Sequence, residues 1–450
     1  MKLPKVLILN ETFNDNSGGG ITLTNLFSGW DSDKIAVVCN SFRLEGNVDT
    51  SICKTYYQLG YKDYRYIFPF NVIGRKRPSG LKKFDKKDGS LANSSQTSAK
   101  YGLRHIIVMK YLFPILEYFG LMERMSSINP STEFNDWLKD FNPDIIYAQA
   151  HNIPDIKLIL LLHAQLKKPL VFHMMDDWPL MVTSSQRLKN RQLRRNDKAV
   201  RKLLDQSDLL MSISDGMSKA YKARYGKDFI TFHNPIDIDF WTKYQRTNYD
   251  LSNSPMLLYA GRVGIGIDES LELIAKTVEQ INNDLHLKVR FVLQTKDRPT
   301  WSTNYTCVEH RVFVEYQDLP KKFSEADFLI LPYDFSPKSL QFIGYSMPTK
   351  ATEYMISGTP IIIFAPEQTA LVTYAKTHGW AKVVTDNNIN ALGDAITSLI
   401  QDKNYRKTLA ETAIKVAQDN HSSLVVTKKF RETLHSLTTA SSLLIKDDKG

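Results

Sequence analysis

Short apolar runs, each bounded by polar or glycine-containing segments, recur along the whole chain. The first is Val6-Leu7-Ile8-Leu9, and others cover residues 34–39, 145–148, 170–174, 208–213 and 229–232. A second series occupies residues 256–260, 289–293, 312–314, 328–331 and 361–364. Runs without polar alternation are those of strands buried on both faces. Segments between them carry helical spacing, as in Ile21-Thr22-Leu23-Thr24-Asn25-Leu26-Phe27. Strands alternating with helices predict an α/β protein with doubly wound parallel sheets. The polar, irregular stretch 244–255 separates the two series and reads as a hinge. The expected division is a first domain over 1–243, the hinge, a second domain over 256–420, and a terminal segment over 421–450.

The most informative stretch lies between the last two strands, over residues 336–360. It reads as a polar loop, then a helix beginning near Met347 with Pro348 tolerated in its first turn. Gly358 is placed to end that helix, and Pro360 cannot continue it. In a βαβ unit such a helix points unpaired N–H groups at the carboxyl edge of the sheet, where an anion can sit. Ser346, Thr349 and Lys350 stand at that end. Glu353, one turn inside, suits a ribose diol, which offers two donors to its two oxygens; a solvated helix residue is the other reading. Arg262 follows an apolar run within Gly261-Arg262-Val263-Gly264-Ile265-Gly266. A guanidinium there can bind a diphosphate bidentately, or serve as a surface ion-pair residue.

Ser346-x-Pro348-x-Lys350-x-x-Glu353-Tyr354, followed by Gly358-x-Pro360, closely resembles the nucleotide-sugar-binding segment of GT-B glycosyltransferases, in particular glycosyltransferase family 4. The resemblance implies two Rossmann-like domains facing across a cleft, with a terminal helix crossing back to the first. It implies that the N-terminal domain binds the acceptor and the C-terminal domain the nucleotide sugar. The family's segment usually carries two glutamates; Glu353 matches the ribose-holding one, and Tyr345 stands at the other. Arg262 matches a pyrophosphate-contacting arginine, whose usual lysine partner falls here on Ile265 or Gly266, so that Lys350 is the candidate replacement. Gly18, Gly19 and Gly20, after the first strand, match a loop near acceptor and leaving phosphate. Asp176, Trp178 and Pro179 match a segment with His-Asp followed by Trp-Pro, in which Met175 takes the histidine's place. Which of His151, His173 and Asp176 touches the reacting sugar stays open, and each histidine has a structural reading beside the catalytic one. The activity implied is transfer from a nucleoside-diphosphate sugar, UDP- or GDP-linked, to a glycan or lipid-linked acceptor. Retention, independence of metal, no required cofactor, and a place in cell-surface polysaccharide or glycoconjugate synthesis are implied with it. A non-transferring relative, such as a sugar-nucleotide epimerase or a binding-only protein, is the alternative.

Composition narrows this only at the margins. At 42% hydrophobic and 24% charged, the 450 residues are those of an ordinary globular protein. Cys39, Cys53 and Cys307 have no paired spacing, which fits a reducing compartment and argues against a disulfide framework or zinc site. The adjacent acids Asp176 and Asp177 point apart if they end a strand, so no metal is expected between them. The first ten residues lack the long apolar region of a signal peptide, and no run is long enough to span a bilayer, so a cytoplasmic protein is expected. A formal charge of +10 suits nucleic acid, anionic lipid or a phosphorylated substrate. Aromatic-basic interleaving is lacking, so nucleic acid is not expected. The basic stretch 71–96 reads as a mobile loop, either a simple insertion or a captor of an anionic acceptor or headgroup on the inner membrane face. The apolar stretch 103–125 reads as a packed helix or helix pair in preference to an interfacial one. No Gly-x-Ser-x-Gly or His-Glu-x-x-His appears, so hydrolysis by those routes is unsupported.

Overall fold

The computed structural model describes residues 3–15, 17–44, 48–68, 70–73, 77–82, 84, 108–119, 121, 125–182 and 186–447. Contacts divide the chain into two compact units, one of residues 1–213, 218–232 and 427–450, the other of residues 214–217 and 233–426. The chain is α/β, and each unit is built on a sheet of the expected kind.

In the first unit eight strands lie in the order Ile230–Thr231, Leu209–Ser212, Leu170–Met174, Ile145–Ala148, Val6–Leu9, Ile35–Asn40, Thr55–Leu59 and Gly80–Lys82. All neighbours pair in parallel except the last pair, which is antiparallel. Sequence order reverses between Val6–Leu9 and Ile145–Ala148, which pair with each other. In the second unit six parallel strands lie in the order Val308–Arg311, Arg290–Gln294, Met256–Ala260, Phe328–Pro332, Ile361–Phe364 and Lys382–Val384. Here the order reverses between Met256–Ala260 and Phe328–Pro332. Ligands of such sheets bind beyond the carboxyl ends of the strands at these reversal points. The fully buried runs Val6–Leu9, Met256–Ala260 apart from Met256, and Ile361–Phe364 account for the unalternating apolar pattern.

Three readings of the sequence need correction. The loop after Phe328–Pro332 contains its own helix, Pro337–Ile343, started by Ser336, whose side chain accepts the amide of Ser339. The helix expected from near Met347 accordingly runs Thr349–Ile356 with Pro348 as its cap residue. Residues 312–314 are not a strand: Val312 and Phe313 are exposed, and the paired strand is the more polar Val308–Arg311, an edge strand that needs less apolar cover. At the stretch read as a mobile loop, Phe70–Ile73 is helical, Arg77 donates to the Ser41 hydroxyl and Gly80–Lys82 pairs with Thr55–Leu59; the basic positions Arg75, Lys76, Lys83, Lys86 and Lys87 lie outside the described residues.

The polar stretch 244–255 is bound tightly to the second unit. Arg246 donates to Asp327 at 2.9 Å with both side chains largely buried, its amide donates to the Ser357 carbonyl, and Gln245 donates to the Ile356 carbonyl. Gly358 has φ +76°, and a Cβ there would lie 2.6 Å from the Arg246 carbonyl oxygen, so both conformation and crowding require glycine at this helix end.

Candidate active site

The second unit brings Arg262, Lys350 and Glu353 to its strand-order reversal. Arg262 follows Met256–Ala260, and the other two ride on Thr349–Ile356, the second helix of the connection from Phe328–Pro332 to Ile361–Phe364. Two helix N-termini compete for an anion here. That of Asp268–Leu285 is already supplied with negative charge: Asp268 and Glu269 lie in its first turn, and Asp334 accepts the Ser270 amide at 2.8 Å. That of Thr349–Ile356 has no acid in its first turn and no side-chain cap. Its unpaired amides and partial positive charge remain available to a ligand.

Lys350 is fastened beside that terminus. Its Nζ donates to the Ala260 carbonyl at 2.7 Å and lies 4.5 Å from the centre of the Tyr259 ring. A Cβ on Gly261 would fall 1.8 Å from the same Nζ, at a φ of +156°. The amine therefore occupies the space a side chain at 261 would take. Gly261→Ala is expected to dislodge Lys350 and to lower nucleoside-diphosphate affinity by about tenfold or more, measured by titration calorimetry, as losing a charge-assisted bond would. An unchanged affinity would show that Lys350 takes no part in binding. Arg262 is exposed, with Nη1 donating to the Ile265 carbonyl at 3.1 Å, so its guanidinium folds over its own loop.

Glu353 is not a solvated helix residue: it is only 6% exposed. Burial pushes its carboxyl up to about 7, against the pull of the Lys350 charge. Burial also brings the Lys350 ammonium down to about 8, with Glu353 raising it and Arg262 lowering it. A buried acid and a half-buried amine one turn apart, both shifted toward neutrality by desolvation, are a pairing expected at a ligand site. Ser346 and Thr349 are half-buried on either side of Pro348 at the same helix start.

The first unit gathers another set at its own reversal point. Gly18, Gly19 and Gly20 are the first turn of the helix Gly18–Leu26, not a turn ahead of it; Ser17 caps it by accepting the Gly20 amide at 3.1 Å. Facing this turn is Glu11, which sequence reasoning missed. A Cβ on Gly19 would lie 3.1 Å from Glu11 Oε2 and 3.5 Å from Gln149 Oε1. Glu11 is buried, receives a 3.0 Å bond from Arg43, and has His151 Nε2 at 3.7 Å. The other His151 ring nitrogen is 3.6 Å from Asp155. Gln149 is 1% exposed, and neither amide atom has a hydrogen-bond partner among the described residues. An Asn-Glu pair ending a strand carries no recognised signature, so only the fold reveals Glu11.

His173 and Asp176 separate. His173 is fully buried, lies 2.6 Å from the Tyr147 hydroxyl through Nδ1, and is held neutral by burial, with its pKa lowered to about 3. It is a core residue without access to a sugar, which removes it from the candidates. Asp176 is exposed, whereas Asp177 is buried, accepting both Arg224 guanidinium nitrogens at 2.7 and 3.0 Å and the Tyr221 hydroxyl at 2.7 Å. The adjacent acids do point apart. The sequence candidates thus form two sets on different units: Gly18, Gly19, Gly20, His151 and Asp176 on the first, and Arg262, Ser346, Thr349, Lys350 and Glu353 on the second.

Residues 96–240 match the family described as Glycosyltransferase Family 4, and residues 254–402 match Glycosyl transferases group 1. Among curated proteins no sequence match is found. Solved structures of similar fold include sucrose-phosphate synthase from Thermosynechococcus elongatus, at 14% identity and TM-score 0.60, covering 97% of this chain and 99% of that one. Anabaena HepE in complex with UDP-glucose aligns at 14% identity and TM-score 0.59, covering 96% and 100%. α,α-Trehalose 6-phosphate synthase from Burkholderia multivorans aligns at 11% identity and TM-score 0.59, covering 98% of both chains. At such identities the likeness to these structures is one of fold. With residues 96–240 and 254–402 each matched by a glycosyltransferase family and two parallel-sheet units of the shared architecture, the chain is a glycosyltransferase of GT-B fold.

Proposed function

We propose that the second unit binds a nucleoside-diphosphate sugar and that the sugar is transferred to a glycan or lipid-linked acceptor held by the first unit. The observation that carries the reading is the uncapped, acid-free N-terminus of Thr349–Ile356, flanked by the fastened Lys350 and by Arg262. The diphosphate sits against those amides and charges, and the ionised Glu353 accepts the two ribose hydroxyls. As the anomeric carbon–oxygen bond breaks, its electron pair passes to the diphosphate, and the same groups stabilise the growing charge. The acceptor hydroxyl oxygen forms the new bond to that carbon, and its proton passes to the departing diphosphate oxygen. Among the first-unit residues, His151, held between Glu11 and Asp155, and the exposed Asp176 are the groups that meet the sugar or the acceptor. The UDP-glucose bound by HepE favours a UDP-sugar as donor, with a GDP-sugar as the other arm of any test. The proposal includes retention of anomeric configuration and a role in cell-surface polysaccharide or glycoconjugate synthesis.

Arginine, lysine and backbone amides supply the positive charge at the diphosphate, so the proposed reaction needs no metal. The test is transfer from a panel of UDP- and GDP-sugars to glycan and lipid-linked acceptors, with and without chelator. Activity that survives chelation, and falls at least about a hundredfold in Arg262→Ala, is the expected result. Full activity in that variant, or complete loss with chelator, would refute the charge assignment.

A further inference from the structure

The first unit carries an apolar face that its sheet does not use. The described part of the stretch read as packed helices, Val108–Leu112 and Phe113–Tyr118, leaves large side chains in solvent: Tyr111 is 58% exposed, Ile115 53% and Phe119 52%. The expectation of an ordinary packed helix therefore fails for these residues. Phe113 packs on Phe70 with ring centroids 6.1 Å apart, and Ile67 and Phe68, next to Phe70, are also exposed. Monomeric soluble domains seldom gather so many exposed large apolar groups in one region.

Strong positive charge adjoins this face. Tyr118, Phe119 and Leu121 line one recess with Arg191 and Arg195 of the helix Gln186–Gln206. From Gln186 to Asn196 that helix has five basic residues, Arg187, Lys189, Arg191, Arg194 and Arg195, and no acid. Arg191 and Arg194 are exposed, as is Lys110 beside Tyr111. Among the described residues no helix is long and apolar enough to cross a membrane.

We propose that this face docks on an anionic lipid bilayer. Tyr111, Ile115 and Phe119 enter the boundary between headgroups and acyl chains, and Arg191 and Arg194 pair with lipid phosphates. Aromatic rings beside guanidinium groups have the composition of interfacial segments, apolar at one end and phosphate-seeking at the other. A second copy of the chain fits poorly, because a twofold interface would set this basic region against itself. The proposal is independent of the nucleotide site, and its test leaves that site untouched.

The full chain is sedimented with phosphatidylcholine vesicles, with and without one-third phosphatidylglycerol. Binding to the anionic vesicles at least about tenfold above the neutral ones, declining with added salt, is expected. The double variants Ile115→Ser/Phe119→Ser and Arg191→Glu/Arg194→Glu should each reduce it about tenfold or more, with the melting temperature unchanged because all four side chains are exposed. The arginine pair serves if the apolar pair lowers the melting temperature. Failure to sediment with anionic vesicles would overturn the proposal. So would binding that both double variants retain, or a wild-type dimer in solution that Phe119→Ser dissolves.

Discussion

Glu353→Gln is expected to act in opposite directions on the empty and the liganded protein. Affinity for a nucleoside diphosphate should fall about a hundredfold, since a carboxylate accepting two hydroxyl bonds is replaced by an amide that accepts at one atom. The empty protein should become more stable near pH 8, by about 2 kcal/mol, because a desolvated carboxylate is no longer required there. Chemical denaturation at pH 8 with and without UDP separates the two effects. A variant that loses both binding and stability would show Glu353 to be a structural acid.

The pH dependence follows from the same pair. Glu353 has its pKa raised from the ordinary 4.5 to about 7, so its contribution to folding is fully present below 4.5 and is lost as pH rises through 7. Lys350 has its pKa lowered from 10.5 to about 8, so its contribution is present above 10.5 and is lost as pH falls through 8. The empty site is therefore least favourable between pH 7 and 8, the window in which Glu353 is ionised and Lys350 protonated for a ligand. Nucleotide affinity should peak in that window and fall on both sides, and Glu353→Gln should flatten the acid limb.

The second large effect is one of stability. Asp177→Ala should cost about 3 kcal/mol, because it strands the Arg224 guanidinium and the fully buried Tyr221 hydroxyl that share its carboxylate. Asp176→Ala, one residue away and exposed, should cost under about 1 kcal/mol while reducing transfer. Urea denaturation of both variants, beside a transfer assay, tests the separation. Equal losses of stability would mean that the two acids share one role.

The strands, and the helix that carries Lys350 and Glu353, are legible because their signals are local. Unalternating apolar runs mark buried parallel strands, and Pro348, Lys350, Glu353 and Gly358 lie within one short helix and its ends. Ser336 and Pro337 also form a local start signal for the helix Pro337–Ile343, masked by the polar composition of the segment. Residues 312–314 misled because apolar composition alone does not say which residues pair; register with Arg290–Gln294 ends the edge strand at Arg311. Nothing local to the sequence reveals Glu11, as its burial depends on Arg43, Gly19 and His151, brought together only when Val6–Leu9 pairs with Ile35–Asn40 on one side and Ile145–Ala148 on the other. His173 looked like a site residue because strand-end histidines share one pattern whether they face solvent or, as here, a buried tyrosine.

The most direct test is a crystal structure of the chain with a UDP-sugar bound. The diphosphate should lie against the amides of Thr349 and Lys350, within reach of Arg262, and the ribose hydroxyls should meet Glu353. A diphosphate seated at the Asp268–Leu285 terminus, or a ribose away from Glu353, would contradict the assignment.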